Sequence, residues 1–181
     1  MRLTAPLLAL LLAACSDTQY FAPPPAASDL RLNVAARTVM VNAVSMPEYA
    51  INQEIPIQQA DGALLTDTDR LWADLPDRAL QVALTRHLNQ ITDAEVAVEP
   101  WPLSGFPERE VTVTVEDMIV QATGSLRFTG TYALRDEVAR SGRVETFAIT
   151  VPVAVPDSYP AIIAAHEAAW IQLSEQVARG L

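Results

Sequence analysis

Val111-Thr112-Val113-Thr114-Val115, inside a run that spans 110–120 and ends Met118-Ile119-Val120, alternates apolar and polar side chains as a half-buried strand requires. The same period continues in 124–135, where Leu126, Phe128, Tyr132 and Leu134 share one face, and a third strand signal covers 143–153. Their connections, 121–124 and 136–142, are short and polar, which predicts an antiparallel meander. A sheet with one apolar face must be covered. Two helical stripes are available to cover it.

The first stripe lies in 74–92, where Leu80, Leu84, Leu88 and Ile91 recur at helical spacing beside Ala79, Ala83 and His87. Arg78, Gln81, Thr85 and Asn89 then face water, and Asp74 as N-cap leaves Pro76 in the first turn. The second stripe runs through 157–179: Tyr159, Ile162, Ile163, His166, Ala169, Trp170, Leu173 and Val177, with Gly180 beyond its end. Upstream, 37–46 is apolar on both alternating sets, as a mid-sheet strand is, and Pro47 ends it. Residues 55–66 read as a hairpin turning at Asp61-Gly62, with Pro56 marking its first arm as an edge. Residues 95–98 form one more strand. The order of elements predicts an α+β two-layer sandwich, a mainly antiparallel sheet with both long helices on one face.

At the other end of the chain Arg2 precedes the apolar run 3–12, which closes with Leu12-Ala13-Ala14-Cys15. Ten apolar residues are too few to cross a hydrocarbon core of about 30 Å as a helix, but they suit the apolar region of a cleaved export signal. Leu12-Ala13-Ala14-Cys15 looks like the lipobox of bacterial lipoproteins, in which the Cys thiol takes a diacylglyceryl group and becomes the first mature residue. An ordinary signal cut after Ala14 is the alternative, and Leu12 suits it poorly. Cys15 is the only cysteine in the chain, so lipidation also removes an otherwise exposed thiol. Ser16 follows it where Asp would signal retention in the inner membrane, which favours the outer membrane. The organisation expected is a signal over 1–14, a lipidated Cys with a Pro-rich tether over 15–34 containing Pro23-Pro24-Pro25, and one domain over 35–181. Tyr20-Phe21-Ala22 is apolar enough to add a short edge strand. A free tether of that length reaches ~60 Å at most.

The formal charge is −10 and all twelve basic residues are Arg. Such a chain is unsuited to nucleic acid or to anionic headgroups, so the lipid rather than electrostatics would hold it at a membrane. Catalytic constellations are wanting. His166-Glu167-Ala168-Ala169-Trp170 begins like a zinc-protease helix but has Trp170 where the second His belongs. The chain has two His, His87 and His166, both on apolar stripes, and they read as hydrogen-bonded core residues. No metal site, catalytic residue or cofactor is expected. The best surface-contact candidates are Trp101 and Phe106, in a loop with Leu103 between Pro100, Pro102 and Pro107, together with Tyr49 after Pro47. The opposing reading folds that loop back over the open end of the sandwich.

Several stretches together resemble one family. They are Val44-Ser45-Met46-Pro47-Glu48-Tyr49, Arg70-Leu71-Trp72-Ala73-Asp74-Leu75, the strand pair from Val111 through Gly124-Ser125-Leu126, and the closing helix from Tyr159 through Ala164-Ala165-His166 to Leu173-Ser174. With the lipobox, their order and spacing resemble the PqiC-like family of ABC-type transport auxiliary lipoproteins, from which Leu71 between Arg70 and Trp72, and Pro76, depart. The resemblance implies an outer-membrane lipoprotein facing the periplasm, with an MCE-domain protein and inner-membrane transporter components as partners in lipid transport. It further implies a fold like the amino-terminal domain of TolB and a ring-shaped homo-oligomer, and it brings no catalytic residues. The alternative is a structural envelope lipoprotein that binds peptidoglycan or an outer-membrane assembly.

Overall fold

In the computed structural model, which describes residues 17–181, the chain runs β1 (Gln19–Phe21), β2 (Thr38–Val41), α1 (Glu48–Ile51), β3 (Ile57–Gln58), β4 (Leu64–Leu65), β5 (Arg70–Trp72), α2 (Pro76–Ile91), β6 (Glu95–Val98), β7 (Arg109–Gln121), β8 (Ser125–Asp136), β9 (Ser141–Pro152) and α3 (Tyr159–Ala178). The alternating runs are β7, β8 and β9, paired antiparallel along their whole lengths. On its other edge β7 carries β2, and further along, at Val120, it carries β3. Strand β6 lies outside β2, and β4 outside β3.

The pairings of β2 with β6, β2 with β7 and β3 with β7 are parallel, so the sheet is mixed rather than mainly antiparallel. The reason is connectivity. α2 crosses between β2 and β6 and the loop 99–108 crosses between β6 and β7, and a crossover returns the chain in the same direction. The long strand expected over 37–46 is regular over Thr38–Val41 and then follows β7 irregularly, through Asn42 N–H to Val111 O at 2.9 Å and Ser45 N–H to Val113 O at 3.1 Å. The hairpin turns at Gly62, with φ of 90°, but its edge arm is β4, because β3 reaches β7 beyond Pro56.

Inward side chains of the sheet, among them Val39, Val111, Val113, Leu126 and Phe128, meet Leu80, Leu84, Leu88, Ile162, Ile163 and Leu173 of α2 and α3 in one core. Each such side chain is worth about 1.5–3 kcal/mol when fully buried, which is why two amphipathic helices suffice to hold the sheet. Helix α2 begins at Pro76 with Leu75 as N-cap, one residue later than expected. Asp74 accepts from Leu75 N–H at 2.9 Å and pairs with Arg78, so it acts on the approach and not as the cap. Residues 70–72 form a strand that pairs parallel with β1.

α3 is buried well beyond its predicted stripe: Ala165, Glu167, Ser174 and Ala178 are also inside. The extra cover comes from the N-terminal segment. Phe21 stacks on Tyr159 at 5.6 Å, Ala26 N–H reaches Glu167 Oε1 at 3.4 Å, and buried Ser28 donates to Glu175 Oε1 at 2.6 Å. Leu32 N–H then donates to Ile91 O at 2.7 Å and Val34 N–H to Asp93 Oδ1 at 2.9 Å. Residues 19–34 are therefore laid onto the helices, where the composition suggested a free tether. Pro23-Pro24-Pro25 lacks N–H donors, so this stretch can lie along a surface without leaving amides unmet.

Candidate functional site

The loop 99–108 is clamped at both ends to β2. Glu99 N–H donates to Val41 O at 3.0 Å, and its carboxylate accepts Ala43 N–H at 2.9 Å. Glu108 N–H donates to Thr38 Oγ1 at 2.9 Å, while its carboxylate takes Arg37 N–H at 2.8 Å and the Arg37 guanidinium at 2.7 Å. Those bonds, the backbone one first, hold the Glu108 carboxyl below the usual carboxylate range. Pro107 is buried, and Gly105 takes φ of 81°, a conformation that favours glycine. Between them Phe106 projects 91 % exposed, with Leu103 also exposed. Trp101 is half-buried, its indole nitrogen shielded from solvent. The loop thus divides the two sequence readings between its residues: Trp101 is folded inward and Phe106 is presented outward.

Tyr49 has a different setting. Its hydroxyl donates to Asp117 Oδ1 at 2.6 Å and accepts Met118 N–H at 3.3 Å, fastening α1 to β7. Burial and then the Asp117 carboxylate push the phenol up to about 12. The register puts Glu99 level with Val111, six residues along β7 from Asp117, or about 20 Å. Tyr49 and Phe106 therefore do not form one surface. Cys15 and the Leu12-Ala13-Ala14 motif lie outside the described residues.

Sequence reasoning passed over a buried polar chain between α2 and α3. Glu167, 1 % exposed, binds the Arg86 guanidinium at 2.7 Å and His87 Nε2 at 3.1 Å, and His87 Nδ1 meets Ser174 Oγ at 3.2 Å. Serine, histidine and glutamate in line are the parts from which an activated nucleophile is built. Here the Ser174 proton is given to Trp170 O at 2.7 Å, and His87 and Ser174 are both fully buried. The chain fixes helix to helix and to the N-terminal segment. His166 is equally internal: its Nδ1–H donates to Ile162 O at 2.8 Å and its ring stands edge-on to Trp72 at 4.9 Å. Both histidines are hydrogen-bonded core residues. Among the described residues no cluster of His, Cys, Asp and Glu is arranged to hold a metal, and no helix is long and apolar enough to cross a membrane.

These features define a mixed α/β domain whose interior polar groups serve packing and whose N-terminal segment is folded onto it. The family described as the ABC-type transport auxiliary lipoprotein component matches residues 21–178, and the chain belongs to that family, a membrane-associated lipoprotein class. A crystal structure described as an uncharacterized protein shares the fold with a TM-score of 0.73 at 20 % identity, over 91 % of this chain and 98 % of that one. Protein XCC0632 from Xanthomonas campestris, assigned to DUF330, aligns with a TM-score of 0.66 at 15 % identity, over 88 % of this chain and 92 % of its own. No curated protein matches the chain.

Proposed function

We propose that the chain is an outer-membrane lipoprotein, acylated at Cys15 after cleavage of the signal at 1–14, and a non-enzymatic accessory subunit of an ABC-type lipid transporter whose partner is an MCE-domain protein. Family membership supports an auxiliary role in transport, and the observation that carries the docking reading is Phe106. A fully solvated phenyl ring on a loop clamped at both ends and stiffened by Pro100, Pro102 and Pro107 is costly to keep in water and cheap to bury against a partner. Leu103 is exposed on the same loop, whereas Tyr49 is a brace for α1. The acyl chains at Cys15 would anchor the chain effectively permanently at ~0.8 kcal/mol per buried methylene.

A photo-reactive amino acid placed at Phe106 in living cells tests this. Capture of an MCE-domain protein, lost on moving the probe to exposed Val155, three residues beyond the end of β9, is the expected result. Capture of only peptidoglycan-bound or barrel proteins would replace the transport reading with that of a structural envelope lipoprotein.

A further inference from the structure

The sheet has outer strands at three places, and they are not alike. β6 is closed: the Asn89 amide donates to Val96 O at 2.7 Å and accepts Val96 N–H at 3.0 Å, occupying the backbone groups that another strand would use. β4 is two residues long. β9 is twelve residues long, contains no bulge, and among the described residues pairs with β8 alone. Residues 141–146 are exposed on both faces, and Val144 stands 68 % exposed. A long open edge is a template for one more strand.

We infer that the occupant of this edge is the β9 of a second copy, joined antiparallel about a two-fold axis at Val144. The sequence Arg143-Val144-Glu145 is its own complement in that arrangement. Arg143 falls opposite Glu145 of the second copy, Glu145 opposite its Arg143, and Val144 opposite its Val144. Strand alternation puts both ion pairs on the face shared with buried Phe147 and the valine pair on the other. A parallel or head-to-tail contact has no such match, and Asn89 bars β6 as a heterologous partner. The axis stands normal to the sheet, so the helices of both copies lie on the same side of the joined sheet. The N-terminal segments, bound to α3 through Glu167 and Glu175, lie on that side too, and two lipid anchors can enter one membrane. A net charge of −10 on each copy opposes association in bulk water, and confinement to a membrane raises the effective concentration that overcomes it. This contact is closed, giving a pair; a ring would need a second, different surface. The pairing does not depend on the transport reading.

The test uses the full acylated chain in cells. Its one natural cysteine is the acylated Cys15, so Val144→Cys adds a single free thiol. Across the proposed axis the two Cα atoms are ~4.5–5.5 Å apart, within disulfide range. A disulfide-linked dimer on non-reducing gels is expected for Val144→Cys, but not for the wild-type chain or for Val138→Cys at the exposed hairpin tip. Adding Glu145→Arg should cut the linked fraction several-fold by setting like charges opposite each other, and the reversal Arg143→Glu with Glu145→Arg should restore it. Equal linkage at positions 138 and 144, no linkage at 144, indifference to the charge variants, or a mixed disulfide with a foreign protein would each overturn the inference.

Discussion

A carboxylate taken out of water must be met by opposite charge and hydrogen bonds, and Glu167 is met by Arg86, His87 and Ala26 N–H. Arg86 remains 37 % exposed and can rehydrate when its partner is lost, so Glu167→Ala is expected to cost about 2 kcal/mol, below the range for a fully buried pair. Urea unfolding at neutral pH measures it, and an unchanged midpoint would mean that the pair holds nothing. His166 sets a pH dependence. Burial lowers its pKa from the ordinary 6.5 to about 4, against the smaller opposing pull of Ile162 O. Between those values the unfolded chain holds a proton that the folded chain refuses. Stability therefore falls as pH drops through that window, by about 3 kcal/mol in full. His166→Asn, whose amide can still reach Ile162 O, should flatten this dependence in unfolding curves at pH 7 and pH 4.5; a slope equal to wild type would place its origin elsewhere. The core role of both histidines was legible because each sits on an apolar stripe. Glu167 was not, since what buries it lies about 140 residues away in sequence, in a Pro-rich stretch whose composition reads as solvated.

Period-two alternation made the meander legible almost to the residue, because antiparallel strands with short connections need only local sequence. Parallel neighbours do not: that β2 lies between β6 and β7 is settled by crossovers and by which apolar edges meet, and no local pattern reports it. A one-residue slip inside β7 was not read from the sequence. Inward positions run Val111, Val113, Val115 and then change parity to Met118 and Val120, because Glu116 is the extra residue of a bulge. Opposite it, Gly130 leaves room for the bent strand; a Cβ there would lie 2.2 Å from Thr114 O and 2.9 Å from Phe147 Cζ. The first obstacle is backbone and cannot swing away. Gly130→Ala is therefore expected to lose about 2–3 kcal/mol by overpacking, read as a lowered urea midpoint. A neutral result would mean that β7 relaxes at the bulge. Gly142→Ala, whose nearest obstacle is Leu134 O at 3.1 Å, should cost distinctly less.

At the scale of the whole molecule, docking of residues 19–34 changes how far the domain stands from a lipid at Cys15. Three residues separate Cys15 from Gln19, so the four Cα-to-Cα steps span about 14 Å at most, where a free tether would give ~60 Å. Under the proposed lipidation at Cys15 the domain would ride close to its own membrane, and a partner from elsewhere would have to come to it. Proteolysis of the purified full chain decides whether the segment is docked. Arg31 is exposed as a side chain, but its flanks are tied by Ser28 to Glu175 and by Leu32 to Ile91, so its backbone is not free to enter a protease as an extended strand. Arg140, exposed in the β8–β9 turn with φ of 52°, is the internal reference. Trypsin should cut after Arg140 well before Arg31, and Ser28→Ala, by removing the hydroxyl that donates to Glu175 and accepts Leu30 N–H, bonds worth about 1 kcal/mol each, should speed the cut at Arg31 several-fold while leaving Arg140 unchanged. Cleavage after Arg31 as fast as after Arg140 in the wild-type chain would return the segment to the free tether that its prolines suggest, and with it the longer reach.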